Sequence, residues 1–124
     1  MNTRIQNIII LQKSKSLPLQ LRETLRQQGY SSTTVFDVET ALASLRETHH
    51  TLLLVDCGES RQLAALTIKQ LVNTPDICDY PSLIITADPP AFREAFDRYF
   101  MLIKAIDSPC GITTIMEAIR EIDT

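Results

Sequence analysis

The stretch VDCGES, residues 55–60, places the carboxylate of Asp56 directly after the apolar run Leu52–Val55. A carboxylate leaving a buried strand is either a group that meets a reactant or a polar cap where the chain exits the core. Other polar residues end apolar runs in the same way. Gln12 and Lys13 follow Ile8–Leu11, Thr86 follows Leu83–Ile85, and Ser108 comes shortly after Met101–Ile106. If these strand ends meet, Asp56 is more than a cap.

Other chemistries find less support. Cys57, Cys78 and Cys110 are an odd number, widely spaced and without a CxxC, so three reduced thiols are expected in place of a disulfide framework. His49 and His50 are neighbours and cannot face one metal as an i,i+4 helical pair would, so no metal site is expected. The composition is that of an ordinary soluble domain, with 44% hydrophobic and 22% charged residues over 124 positions. A net charge of -3 gives no footprint for nucleic acid or an acidic membrane surface. No apolar run is long enough to span a bilayer, and MNTRIQ lacks the apolar stretch of a signal peptide. A cytoplasmic location is therefore expected.

The elements that must position these residues alternate regularly. Ile8–Leu11 is continuous and β-branched, as in a strand buried on both faces. Ser16 offers an N-cap and Pro18 a first turn to a helix carrying Leu17, Leu21 and Leu25, closed by Gly29. A second strand is read over Ser31–Phe36, then a helix capped by Asp37 with Ala41, Leu42 and Leu45 inward. The third strand, Leu52–Val55, leads to a helix with Leu63, Leu66 and Leu71 on one face, ending before Pro75. Leu83–Ile85 is the fourth strand. Asp88 caps a helix with Pro89 and Pro90 in its first turn and Phe92, Phe96 and Tyr99 along a stripe. Met101–Ile106 is the fifth strand, and Ile112, Ile115, Met116, Ile119 and Ile122 mark the last helix.

Five strand–helix units without an internal linker predict one α/β domain over 1–124, a doubly wound parallel sheet with helices on both faces. In such a sheet a site forms beyond the carboxyl ends of the strands, where Gln12, Lys13, Asp56, Thr86 and Ser108 all fall.

This pattern, with PSLIITAD as the fourth strand and Ser108-Pro109 after the fifth, resembles the receiver domain of two-component response regulators, the CheY-like family. The resemblance covers the whole chain, and the Asp56–Thr86 and Thr86–Ser108 intervals are typical of the family. It implies the flavodoxin-like strand order 2-1-3-4-5. In an ordinary receiver the residue matching Asp56 accepts a phosphoryl group, and two acids after the first strand hold Mg²⁺. A lysine followed by a commonly cis proline pairs with the phosphoryl oxygens, and a Thr or Ser matching Thr86 bonds to one of them. Here the acidic pair falls on Gln12 and Lys13, the lysine on Ser108, and the aromatic switch position on Ala105. Lys104 is no substitute, lacking the following proline. The Met-Pro usual after the aspartate is absent from CGESRQL, and so is the Gly that follows it in the family, Gly58 standing too close to Asp56 to match it. The departures fall on the phosphorylation machinery and spare the scaffold, which implies a degenerate, or pseudo-, receiver.

The resemblance implies signalling through protein–protein contact, without enzymatic activity and without a cofactor, Mg²⁺ entering only if the acceptor site is functional. The alternative is a phosphorylatable receiver using Asp56. Lys13 is expected within reach of Asp56, as a fixed counter-charge in place of the metal; otherwise it is a solvated loop lysine. A weaker reading takes QKSKSLP as a phosphate loop for a flavin or small ligand, although the loop has no glycine and the chain no Trp. The fourth helix, fifth strand and fifth helix form the family's partner or homodimer surface. Tyr99 and Phe100, rimmed by Arg93 and Arg98, are the expected interaction face here.

Overall fold

The computed structural model describes residues 4–96 and 103–123. Its strands are β1 (Asn7–Gln12), β2 (Ser31–Val35), β3 (Thr51–Gly58), β4 (Ser82–Thr86) and β5 (Ile103–Asp107). The helices are α1 (Leu21–Gln27), α2 (Val38–Glu47), α3 (Arg61–Val72), α4 (Pro89–Ala95) and α5 (Ile112–Ile122), with a 3₁₀ turn at Pro75–Asp79. All strand pairs are parallel, in the order β2-β1-β3-β4-β5. The expected doubly wound sheet is therefore the observed one.

The continuous apolar runs become two cores because successive side chains point to opposite faces. Ile8, Ile10, Leu52, Leu54, Leu83 and Ile85 meet Leu21 and Leu25 of α1 and Ile115, Met116 and Ile119 of α5. Ile9, Leu11, Leu53, Val55 and Ile84 face the other way, onto Ala41 and Leu45 of α2, Ala64 and Leu71 of α3, and Phe92 of α4. Asp37 and Asp88 cap α2 and α4 as expected, accepting from Thr40 N at 2.8 Å and Ala91 N at 3.3 Å. Asp123, just past α5, accepts from Ile5 N and from the Tyr30 hydroxyl, tying both ends of the chain to the turn before β2.

Three local expectations are corrected. The first helix begins at Leu21, not after Ser16; Gln20 stands at its start without a side-chain cap bond, and the Ser16 hydroxyl donates to Asp56 Oδ1. On α3 the inward face is Ala64, Thr67 and Leu71, while Leu66 is 49% exposed. Burying Thr67 is possible because its hydroxyl donates to Leu63 O within the helix. The third strand runs on past Val55, so Asp56 lies within the ladder instead of after it. Phe92 and Phe96 stack in the core with ring centroids 6.3 Å apart; Arg98, Tyr99, Phe100 and Met101 lie outside the described residues.

Leu54 is fully buried between α1 and α5, so Leu54→Ala is expected to lower unfolding free energy by about 2–5 kcal/mol in denaturant titration. Leu66→Ala, on the exposed side of α3, is expected to stay within roughly 0.5 kcal/mol of the parent.

Candidate functional site

β3 lies between β1 and β4, and both neighbours bring their carboxyl ends level with Asp56. Gln12 pairs with Asp56 across the β1 ladder. On the other side the register slips between Asp56 and Gly58, so that Gly58 sits opposite Thr86. Lys13 N donates to Asp56 O at 2.9 Å, and Ser108 N donates to Thr86 O at 2.9 Å. Backbone bonds thus gather the ends of four strands, β1, β3, β4 and β5, at one edge of the sheet.

The Asp56 side chain is fully buried. Its Oδ1 accepts from the Ser16 hydroxyl at 2.8 Å and from Gly58 N at 3.0 Å. Its Oδ2 is buried and has no hydrogen-bond partner among the described residues. Burial raises the Asp56 pKa above the usual carboxylate value, and the Ser16 hydroxyl and the backbone amides of Gly58 and Ser16 offset this only in part. Thr86 is buried too, its Oγ1 accepting from Asp88 N at 3.1 Å. Ser108 Oγ is a second buried polar atom without a partner, and the Ser108-Pro109 peptide bond is cis.

Gly58 permits the arrangement. Its φ is +64°, in the left-handed region, and a Cβ there would stand 2.2 Å from Ser14 Oγ and 3.5 Å from Ser16 Oγ. Any larger residue would displace the serine segment from the aspartate. Cys57, between Asp56 and Gly58, points into the core, where burial pushes its thiol up to about 11; Thr67 is its hydrogen-bonding neighbour. Such a thiol is inert at neutral pH.

The expected site residues are therefore brought together in part. Asp56, Thr86 and Ser108 gather at the strand ends, and Pro109 is exposed beside them. Gln12 lines a surface groove with Leu17, Pro18, Arg22 and Thr34. The expected Lys13–Asp56 ion pair is not formed. Lys13 lies along an open groove with Asp37, Val38 and Glu39, and its charge helps to lower the Asp37 pKa. Ser16 takes the place at Asp56 that was assigned to the lysine. Arg93, expected on the rim of a partner face, donates from Nη2 to Ala105 O at 3.0 Å.

A divalent cation here would require carboxylates from the first strand end. Gln12 supplies an amide, Lys13 an ammonium that would repel the ion, and Ser14 and Ser16 crowd over Gly58, so the residues present do not fit the ion. Sequence reasoning missed Ser16 and Gly58. The glycine two residues after the aspartate, together with the serines of QKSKS, was the available signal.

No protein-family model and no curated protein matches this sequence. Solved structures do. The chain is similar to chemotaxis response regulator CheY4 of Vibrio cholerae, at 16% identity and TM-score 0.67, covering 95% of this chain and 98% of that one. A response regulator from Thermotoga maritima matches at 16% identity and TM-score 0.64, covering 95% and 97%. A structure described as one of a family of streptococcal redox sensors evolved from two-component response regulators matches at 21% identity and TM-score 0.66. It covers 94% of this chain, which spans 50% of that protein. The fold is that of CheY-like response-regulator receiver domains.

Because the folded-state pKa of Asp56 is raised above its unfolded value near 3.8, the folded chain holds the proton more tightly over the interval between the two. Stability is expected to fall as pH rises through that interval and to stay lower above it. Asp56→Asn should remove this slope. At neutral pH it should raise the unfolding free energy, because the amide carries no charge to bury, although its Nδ2 stays as unpartnered as Oδ2 was. Denaturation series across pH 4–8 (roughly the span in which carboxylates shifted by burial titrate) would read both effects.

Proposed function

We propose that this chain is a receiver-like signalling domain that acts through protein–protein contact and does not run the Mg²⁺-dependent phosphorylation cycle of ordinary receivers. The observation that carries the reading is the occupation of Asp56 Oδ1 by Ser16 and Gly58, in a site whose companions are an amide, a diverted ammonium and a short hydroxyl. Phosphoryl transfer depends on positioning and on neutralising the charge that spreads over the phosphoryl oxygens. Gln12, Ser16 and Ser108 carry no charge to do this. On this reading the domain has no catalysis of its own and no resident cofactor, and it works in the cytoplasm.

The partner, or a second copy of the domain, would bind along α4, β5 and α5. Arg93 lies on this surface, braced against the Ala105 carbonyl, and Lys104 of β5 pairs with Glu121 of α5. Arg98, Tyr99 and Phe100, the remaining residues assigned to this face, lie outside the described residues. The flavin reading loses its support, since the serines of its supposed phosphate loop are turned onto Asp56 and Gly58.

One observation favours the alternative that Asp56 is a working phosphoacceptor. Its Oδ2 has no partner, and Thr86 is retained nearby on β4. A single experiment separates the two readings. Incubated with acetyl phosphate and Mg²⁺ beside an ordinary receiver as control, the chain is expected to keep its intact mass while the control gains a phosphoryl group. A gain in this chain that Asp56→Ala abolishes would replace the proposal with the alternative.

A further inference from the structure

The link between β1 and α1, residues 13–20, is long for a strand–helix connection, and it is fixed at few points. Lys13 N donates to Asp56 O, the Ser16 hydroxyl bonds to Asp56 Oδ1, the Ser16 amide also bonds to that carboxylate, and Leu17 packs partly on the core. Beyond these, Leu19 is 96% exposed and Gln20 makes no side-chain cap bond to α1. Beneath the segment lies Gly58, whose missing side chain leaves the space that Ser14 fills. Two independent features thus hold the serines down on Asp56: a hydrogen bond to the carboxylate and a fitted steric seat.

We infer that residues 13–20 form a strap that shuts the Asp56 pocket, an autoinhibitory contact with Ser16 as its latch and Gly58 as its seat. Closed, the strap buries the carboxylate completely. Open, it presents the carboxylate to solvent while the ladder of β3 with β1 and β4 stays intact, because the Ser16 bonds go to the Asp56 side chain and the Lys13 N–Asp56 O bond, which closes the last β1–β3 pair, serves as the hinge. The strap goes beyond the adaptor reading: it governs how Asp56 is reached, whether or not the domain binds a partner or accepts a phosphoryl group.

The test uses the folded full chain, a water-soluble carbodiimide and glycinamide, with the rate of amide formation at Asp56 followed by peptide mass spectrometry. The exposed Asp76 serves as internal reference. Asp56 is expected to react far more slowly than Asp76 in the parent. Ser16→Ala should speed the Asp56 reaction by roughly tenfold or more, as loss of a hydrogen bond to a charged group allows. Ser16→Thr, which keeps the hydroxyl, should restore protection. Equal rates at Asp56 and Asp76 in the parent, or a folded Ser16→Ala chain with unchanged protection, would overturn the proposal.

Hydrogen exchange of the parent gives a second reading that needs no variant. The Ser16 amide, which bonds to the Asp56 carboxylate, is expected to exchange well before the amide of Val55 in the β3 ladder. Exchange of both only in a common global event would show that no separate strap exists.

Discussion

Everything at the carboxyl edge of this molecule depends on β3, whose eight residues, Thr51–Gly58, are all buried. Flanked by a strand on each side and by helices above and below, it has no freedom to slide. A shift by one residue would turn Leu52 and Leu54 away from α1 and α5 and exchange the two cores. The register that buries those leucines also places Asp56 opposite Gln12 and beneath the β1–α1 link. Packing therefore puts a carboxylate where solvent cannot reach it, and the rest of the site answers that constraint.

The answer is made of hydrogen bonds and not of counter-charges. Two donors converge on Oδ1, one from a side chain and one from the backbone, and bonds to an ionised acceptor are the stronger kind. They do not offset burial fully, which is why the carboxyl pKa stays raised. A lysine at the same place would bring a full charge but would also have to be desolvated, and the gain from such a pair is often cancelled. Lys13 remains half-exposed beside Asp37, where little desolvation is asked of it. Over Gly58 it is the short side chain of Ser14 that takes the space a Cβ would need.

The fold was legible in the sequence because its strands are short, uninterrupted and β-branched, and because the caps Asp37 and Asp88 and the closing Gly29 each mark a boundary by local chemistry. The strand ends that gather Asp56, Thr86 and Ser108 were legible for the same reason. Detail failed where a tertiary contact overrode a local preference. Ser16 has the features of an N-cap, but its hydroxyl bonds to Asp56 and α1 begins only at Leu21. The α3 stripe misled because leucines were counted as inward, whereas Thr67, with its hydroxyl bonded to Leu63 O, packs closer to the sheet than Leu66 does. Lys13 was placed by strand position alone, and a strand position does not settle where a four-carbon side chain goes.

An aspartate in this position is costly to the fold, with one oxygen unpartnered and its ionisation opposed by burial. Asparagine would be a less expensive occupant if nothing but packing were at stake. The Ser16 hydroxyl and the Gly58 amide both bond to the carboxylate, and Ser14 fills the space over Gly58. A strained or unsatisfied group held by its surroundings argues for a role beyond stability. The retained acid and its fitted cover make sense together as a site kept shut, and neither makes sense as a remnant alone. A cover with nothing beneath it would not need a glycine in the left-handed conformation.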